Sequence, residues 1–155
     1  MDALGRTQTR TNRPRAYASY HRALAVGVAA DATRHVRERM AAIDEALGRH
    51  ADAAAMWNAL LKDAGFEKRT TWNDMPREAR FEAYAVGRAR ASLASGDRAG
   101  ARADLTAALA RFPRGKRHLE ILRLLASERI LAGQQTGDAV AYEEGMAWLR
   151  RAAQE

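Results

Sequence analysis

Residues 94–113, ASGDRAGARADLTAALARFP, constrain the fold most tightly, because they specify a helix end, a tight turn and a second helix in close succession. Gly96 supplies the left-handed backbone that closes a helix, and Asp97 offers a side chain to cap the next one. Ala101, Leu105, Ala108, Leu109 and Phe112 then recur at helical spacing as one apolar stripe, and Pro113 ends it. Ala101 and Ala108 matter for their smallness, since two helix axes approach closely only where side chains do not hold them apart. Such a stretch predicts antiparallel helices packed at short range.

The same signals recur along the chain. Residues 1–13 carry no periodicity and read as a basic, flexible tail, and Pro14 suits a first helical turn. Tyr17, Tyr20, Leu24 and Val28 follow at helical spacing, with Ala16, Tyr20 and Ala23 repeating the small, bulky, small pattern. Asp31 or Thr33 then caps a new helix, or the helix runs on, since Val36, Met40, Ile43 and Leu47 stay nearly in phase; the pattern fits both. Gly48 marks the next end, before Ala53, Trp57, Leu60 and Leu61. The linker 65–78 is long for a helical array, with Asn73 or Asp74 as a cap and Pro76 as a helix start. Trp72 at its centre is a candidate loop contact with a partner, or folds back over Trp57 or Tyr84.

Phe81, Ala85, Ala89 and Leu93 form one stripe of the following helix, while Tyr84, Gly87, Ala91 and Ala94 form another, which predicts a helix sandwiched on two sides. Leu119, Leu122 and Ala126 are the inner positions of a further helix, leaving Arg117, Glu120 and Arg123 as its wet edge. Residues 133–137, between Gly133 and Gly137, break the chain, and Asp138 caps a last helix with Tyr142, Met146, Trp148 and Leu149.

In residues 94–113 the chain resembles the tetratricopeptide repeat (TPR) family, whose second helix carries Ala, a bulky residue, Ala and Pro at the spacing of Ala101, Leu105, Ala108 and Pro113. An ordinary helical hairpin would carry the same stripe. The glycine landmarks are unevenly spaced, where a strict array repeats every ~34 residues, so the resemblance is to a degenerate array. It implies an all-α fold: antiparallel helical hairpins stacked as a short TPR-like right-handed solenoid over residues 14–155, with one concave groove. Carried over position by position, the groove would present His35, Glu38 and Glu45, then Val86, Arg90 and Leu93, then Arg117, Glu120 and Ser127. Their mixed charge points to a peptide or protein partner. The Lys and Asn set with which the family clamps acidic chaperone tails does not appear.

Composition narrows the function classes. At 155 residues the chain makes one domain with a real core. It has no Cys, so disulfides and thiolate metal sites are excluded, and no apolar run reaches the ~18 residues of a membrane span. With no signal-peptide-like start, the expectation is a soluble, cytoplasmic protein without membrane contact. The net charge of +7 raises nucleic acid as a partner, but most basic residues are Arg interleaved with Glu and Asp, and an Ala- and Arg-rich chain is also what a GC-rich genome encodes. Arg111, Arg114, Lys116 and Arg117 are the densest positive spot and a candidate anion contact.

Reaction chemistry finds no footing. No His pair brackets a Glu as a zinc protease requires, and His35 with Glu38 is half of a di-metal motif without its second half. GDRAGA lacks the Lys-Ser/Thr of a phosphate-cradling loop, and no Ser sits in a nucleophile elbow. Adjacent Glu143 and Glu144 point ~100° apart on a helix and cannot share a substrate. The expectation is a non-enzymatic chain without cofactor or metal: an adaptor or assembly subunit that binds a protein segment in its groove. One alternative is a nucleic-acid-binding repeat using the tail and the cluster at 111–117. The other is a structural subunit self-associating through Tyr142, Met146 and Trp148 on its last helix.

Overall fold

The computed structural model describes residues 3–27, 30–63 and 75–154, with side chains from 15, 32 and 79 onward in these segments. Every regular element among the described residues is an α-helix: α1 (Ala3–Val26), α2 (Ala30–Ala46), α3 (His50–Asp63), α4 (Met75–Ser95), α5 (Arg98–Arg111), α6 (His118–Thr136) and α7 (Ala139–Gln154). The chain is all-α. Each helix packs chiefly on its neighbours in sequence, and α6 reaches back to α4 as well. None of the described helices is long and apolar enough to cross a membrane.

The N-terminal region is two helices. The chain turns at Gly27, whose φ of 76° is open to glycine at little cost, and its N–H still reaches the Leu24 carbonyl at 3.3 Å. Residues 3–13, where the sequence shows no apolar period, are helical within α1. Gly48 and Gly96 close α2 and α4 as their positions imply. Asp97 caps α5 by accepting the Gly100 N–H at 3.0 Å, and α5 stops at Phe112 before Pro113. Asp138 caps α7, accepting from Val140 and Ala141 at 3.0 and 3.1 Å. The break expected from Gly133 comes only at Gly137, and Gly133 lies inside α6. A Cβ there would stand 2.7 Å from the Tyr142 nitrogen, so the glycine lets α7 lie against α6 instead of ending it.

The core runs through the middle of the array. Ala101, Leu105 and Ala108 of α5 are wholly buried, and so are Met40, Ala53, Phe81, Val86, Ile121 and Leu122 or nearly so. Burying each large side chain of this set contributes about 1.5–3 kcal/mol. α4 is sandwiched: Phe81, Ala85 and Ala89 are buried on one stripe and Tyr84, Gly87 and Ala91 on the other. Trp57 of α3 lies flat against α4, stacked on Tyr84 at 5.8 Å, and a Cβ on Gly87 would come within 2.8 Å of its indole.

Several polar groups inside the array are paired between elements. Arg88 reaches from α4 to Asp104 on α5 through two bonds of 2.6 and 2.7 Å and to Asn58 on α3 at 2.8 Å. Buried Glu82 accepts the Arg117 backbone N–H at 2.9 Å, tying α4 to the start of α6, where the N-cap residue Arg117 supplies no side-chain cap. Asp44, wholly buried at the end of α2, holds Arg49 at 2.7 Å and accepts the Tyr17 hydroxyl of α1 at 3.3 Å. Burial raises the Asp44 pKa against the opposing pull of Arg49.

Candidate functional site

α2, α4 and the start of α6 place a row of charged side chains side by side. Arg90, near the middle of α4, is the link: its guanidinium donates to Glu45 of α2 at 2.7 Å and to Glu120 of α6 at 3.4 Å. Glu120 in turn accepts from Arg117 at 2.7 Å. Glu45 also accepts the Trp57 indole N–H at 2.9 Å, which fixes the ring that floors this face. Two turns before Glu45 on α2, Glu38 accepts the Tyr84 hydroxyl. Burial, reinforced by that carboxylate, pushes the Tyr84 phenol well above its ordinary range, so the hydroxyl stays a donor.

Beside this row lies an open cleft of about 370 Å³, lined by Trp57, Ala79, Ala83, Tyr84 and Gly87 and rimmed by Glu38, Arg80, Arg90 and Arg117. Its floor is apolar and aromatic because the small residues of α4 leave part of the Trp57 ring exposed, with the buried Tyr84 ring stacked on it. Arg80 is exposed and forms no ion pair or hydrogen bond among the described residues.

The structure brings five of the nine expected groove residues, Glu38, Glu45, Arg90, Arg117 and Glu120, to this face. Val86 does not belong to it: it is wholly buried, because α4 is covered on two sides and a one-residue step turns a side chain ~100° into the core. Leu93 is half-buried against the core. His35 is exposed, with Nδ1 3.9 Å from Glu38, and Ser127 stands exposed farther along α6. Trp72 lies outside the described residues. Trp57, Tyr84, Arg80 and the small residues Ala83 and Gly87 were not expected in the groove. The signal that could have found them is the run of small residues on one stripe of α4, which exposes whatever ring lies behind it.

The positive cluster is divided. Arg111 lies over the rings of Phe81 and Phe112, 6.0 and 5.7 Å from their centroids, and Arg117 is engaged by Glu120. Arg114 and Lys116 remain exposed at the turn, where they meet Arg151 of α7. On the last helix, Trp148 turns inward against the core, while Tyr142 and Leu149 are exposed. No group of three or more His, Cys, Asp or Glu side chains suited to a metal ion occurs among the described residues. The chain matches no protein-family model, no curated protein and no solved structure.

Proposed function

We propose that this chain is a non-catalytic adaptor that binds a segment of another protein along the face of α2, α4 and α6. In this reading α2/α3, α4/α5 and α6/α7 are hairpins of a short right-handed TPR-like solenoid, and the face is its concave side. The observation that carries the proposal is the cleft itself: an aromatic floor of Trp57 and Tyr84 beside a row of alternating acids and arginines. An extended peptide presents the matching chemistry, apolar side chains for the floor and charges of both signs for the row.

Affinity purification of the tagged protein from its own cells tests this. A discrete protein partner should be recovered with the native chain and with Arg39→Glu, which alters an exposed charge on α2 away from the cleft. It should be lost with Arg80→Glu and with Ala83→Trp, which fills the cleft. A partner recovered equally with the two cleft variants, or no protein partner at all, overturns the proposal.

A further inference from the structure

Helix α7 spends two of its sides within the chain. Ala141 and Gly145 are buried, Gly145 against Ile130 of α6. Glu144, Ala147, Trp148 and Arg151 turn toward α5 and line a cleft with its Arg102 and Thr106. Tyr142, Met146, Leu149 and Ala153 lie on neither side. Their spacing of four, three and four places them within about 60° of one another, opposite the side turned to α5. Tyr142, Leu149 and Ala153 are exposed and Met146 is half-buried. Trp148, packed inward against the core, is not part of this stripe. The four-three alternation is the one with which two helices pack side by side, each seating its apolar side chains between those of the other. Glu143 and Arg150 flank the stripe on one edge, both exposed and 3.7 Å apart across two turns of α7.

We infer that this stripe is the contact surface for a second copy of the chain, with the two α7 helices antiparallel across a two-fold axis. Under that symmetry Met146 opposes Leu149 of the second copy, bulky Tyr142 opposes small Ala153, and each contact occurs twice. The flanking charges select this arrangement, because Glu143 of each copy then faces Arg150 of the other. In a parallel pair the edge carrying Glu143 and Arg150 would instead meet the edge carrying Gly145 and Ala152, where no charge answers them. An unrelated helix would have to supply matching charges of its own, whereas a second copy already carries them. Exposed ion pairs add little affinity and serve here to set orientation; burial of the apolar stripe drives the contact. One helix face from each copy is small beside a standard interface of ~1,600 Å², so the pairing is a concentration-dependent equilibrium.

Sedimentation equilibrium of the purified full chain, from about 1 µM to 1 mM, should follow a monomer–dimer equilibrium. Leu149→Lys, at an exposed position, should weaken association by roughly tenfold or more. Glu143→Arg and Arg150→Glu should each weaken it alone, because like charges then meet across the axis. An equimolar mixture of those two variants should form a heterodimer, since every facing pair is then of opposite sign. Arg39→Glu, which changes the net charge as much as Arg150→Glu does but from α2, should leave association unchanged. Circular dichroism checks that the variants keep their helices, and association regained in the mixture cannot come from chains that have lost their fold. A chain that stays monomeric across the range, a dimer indifferent to Leu149→Lys, or a mixture no better associated than its two components overturns the inference. The measurement uses the purified chain alone, so none of these results bears on capture of a protein at the Trp57 cleft.

Discussion

Tyr84 joins the core of α4 to the edge of the groove, with its ring buried and its hydroxyl donating to Glu38. Both features stabilise the neutral phenol, so its pKa in the folded chain stands above the ordinary value of 10.0. A tyrosine raised in this way contributes stability that is fully present below the unfolded pKa and is lost as pH climbs toward the folded one. Stability to urea should therefore decline above pH 10.0 in part through Tyr84. Tyr17, raised by burial and by Asp44, adds a decline in the same direction. Tyr84→Phe should make the alkaline loss shallower without abolishing it. Identical pH profiles for the native chain and Tyr84→Phe would show that the phenol is not held neutral by its surroundings. Nothing in the sequence pairs Tyr84 with Glu38, because the contact joins positions 46 apart, and helical period reports only which face a residue occupies.

Among the elements, α6 and α7 form the closest pair, and glycine explains why. A Cβ on Gly145 would stand 2.6 Å from the Ile130 side chain, 2.8 Å from its backbone nitrogen and 2.9 Å from the Ala126 carbonyl oxygen. Replacing Gly145 by Ala gains about 1 kcal/mol of helix propensity. Against that, two of the three crowded atoms are backbone and cannot swing aside, and overpacking of this kind costs about 1–3 kcal/mol. The clash should win. Gly145→Ala is expected to lower the melting temperature by a few degrees and to loosen α7, seen as a more exposed Trp148 in fluorescence; a melting temperature at or above the native one would refute the close packing.

The same glycines mark the limit of what the sequence conveys. Helix existence is legible from the apolar period, and Gly96 with Asp97 is legible as a boundary because the local chemistry is sufficient. Gly133 reads as a boundary too, yet only its contact with α7 distinguishes a glycine that admits a neighbour from one that ends a helix. Gly27 escapes for the opposite reason: the stripe of Val36, Met40, Ile43 and Leu47 keeps phase across the turn and hides it.

Across the whole molecule, the row from Glu45 through Arg90 to Glu120 and Arg117 spans α2, α4 and α6. Helical register identifies most of these charges as sharing one side. Their pairing becomes visible only when three helices are set next to one another, and Arg151 joins the α5–α6 turn for the same reason. The row is not what holds the helices together. Arg90 is 45% exposed, and ion pairs at such positions are worth about 0–1 kcal/mol each, little beside the buried cluster from Leu60 to Leu125. Stability and binding are therefore separable at Arg90. Arg90→Leu should shift the urea midpoint by no more than about 1 kcal/mol of unfolding free energy, while freeing Glu45 and Glu120 to repel an acidic stretch of any bound segment. The variant should then fold normally and lose the protein partner that the native chain retains, and raised salt should weaken native capture more than it lowers stability. If Arg90→Leu unfolds the chain, the row is structural; if it keeps both fold and partner, the bound segment does not depend on this face.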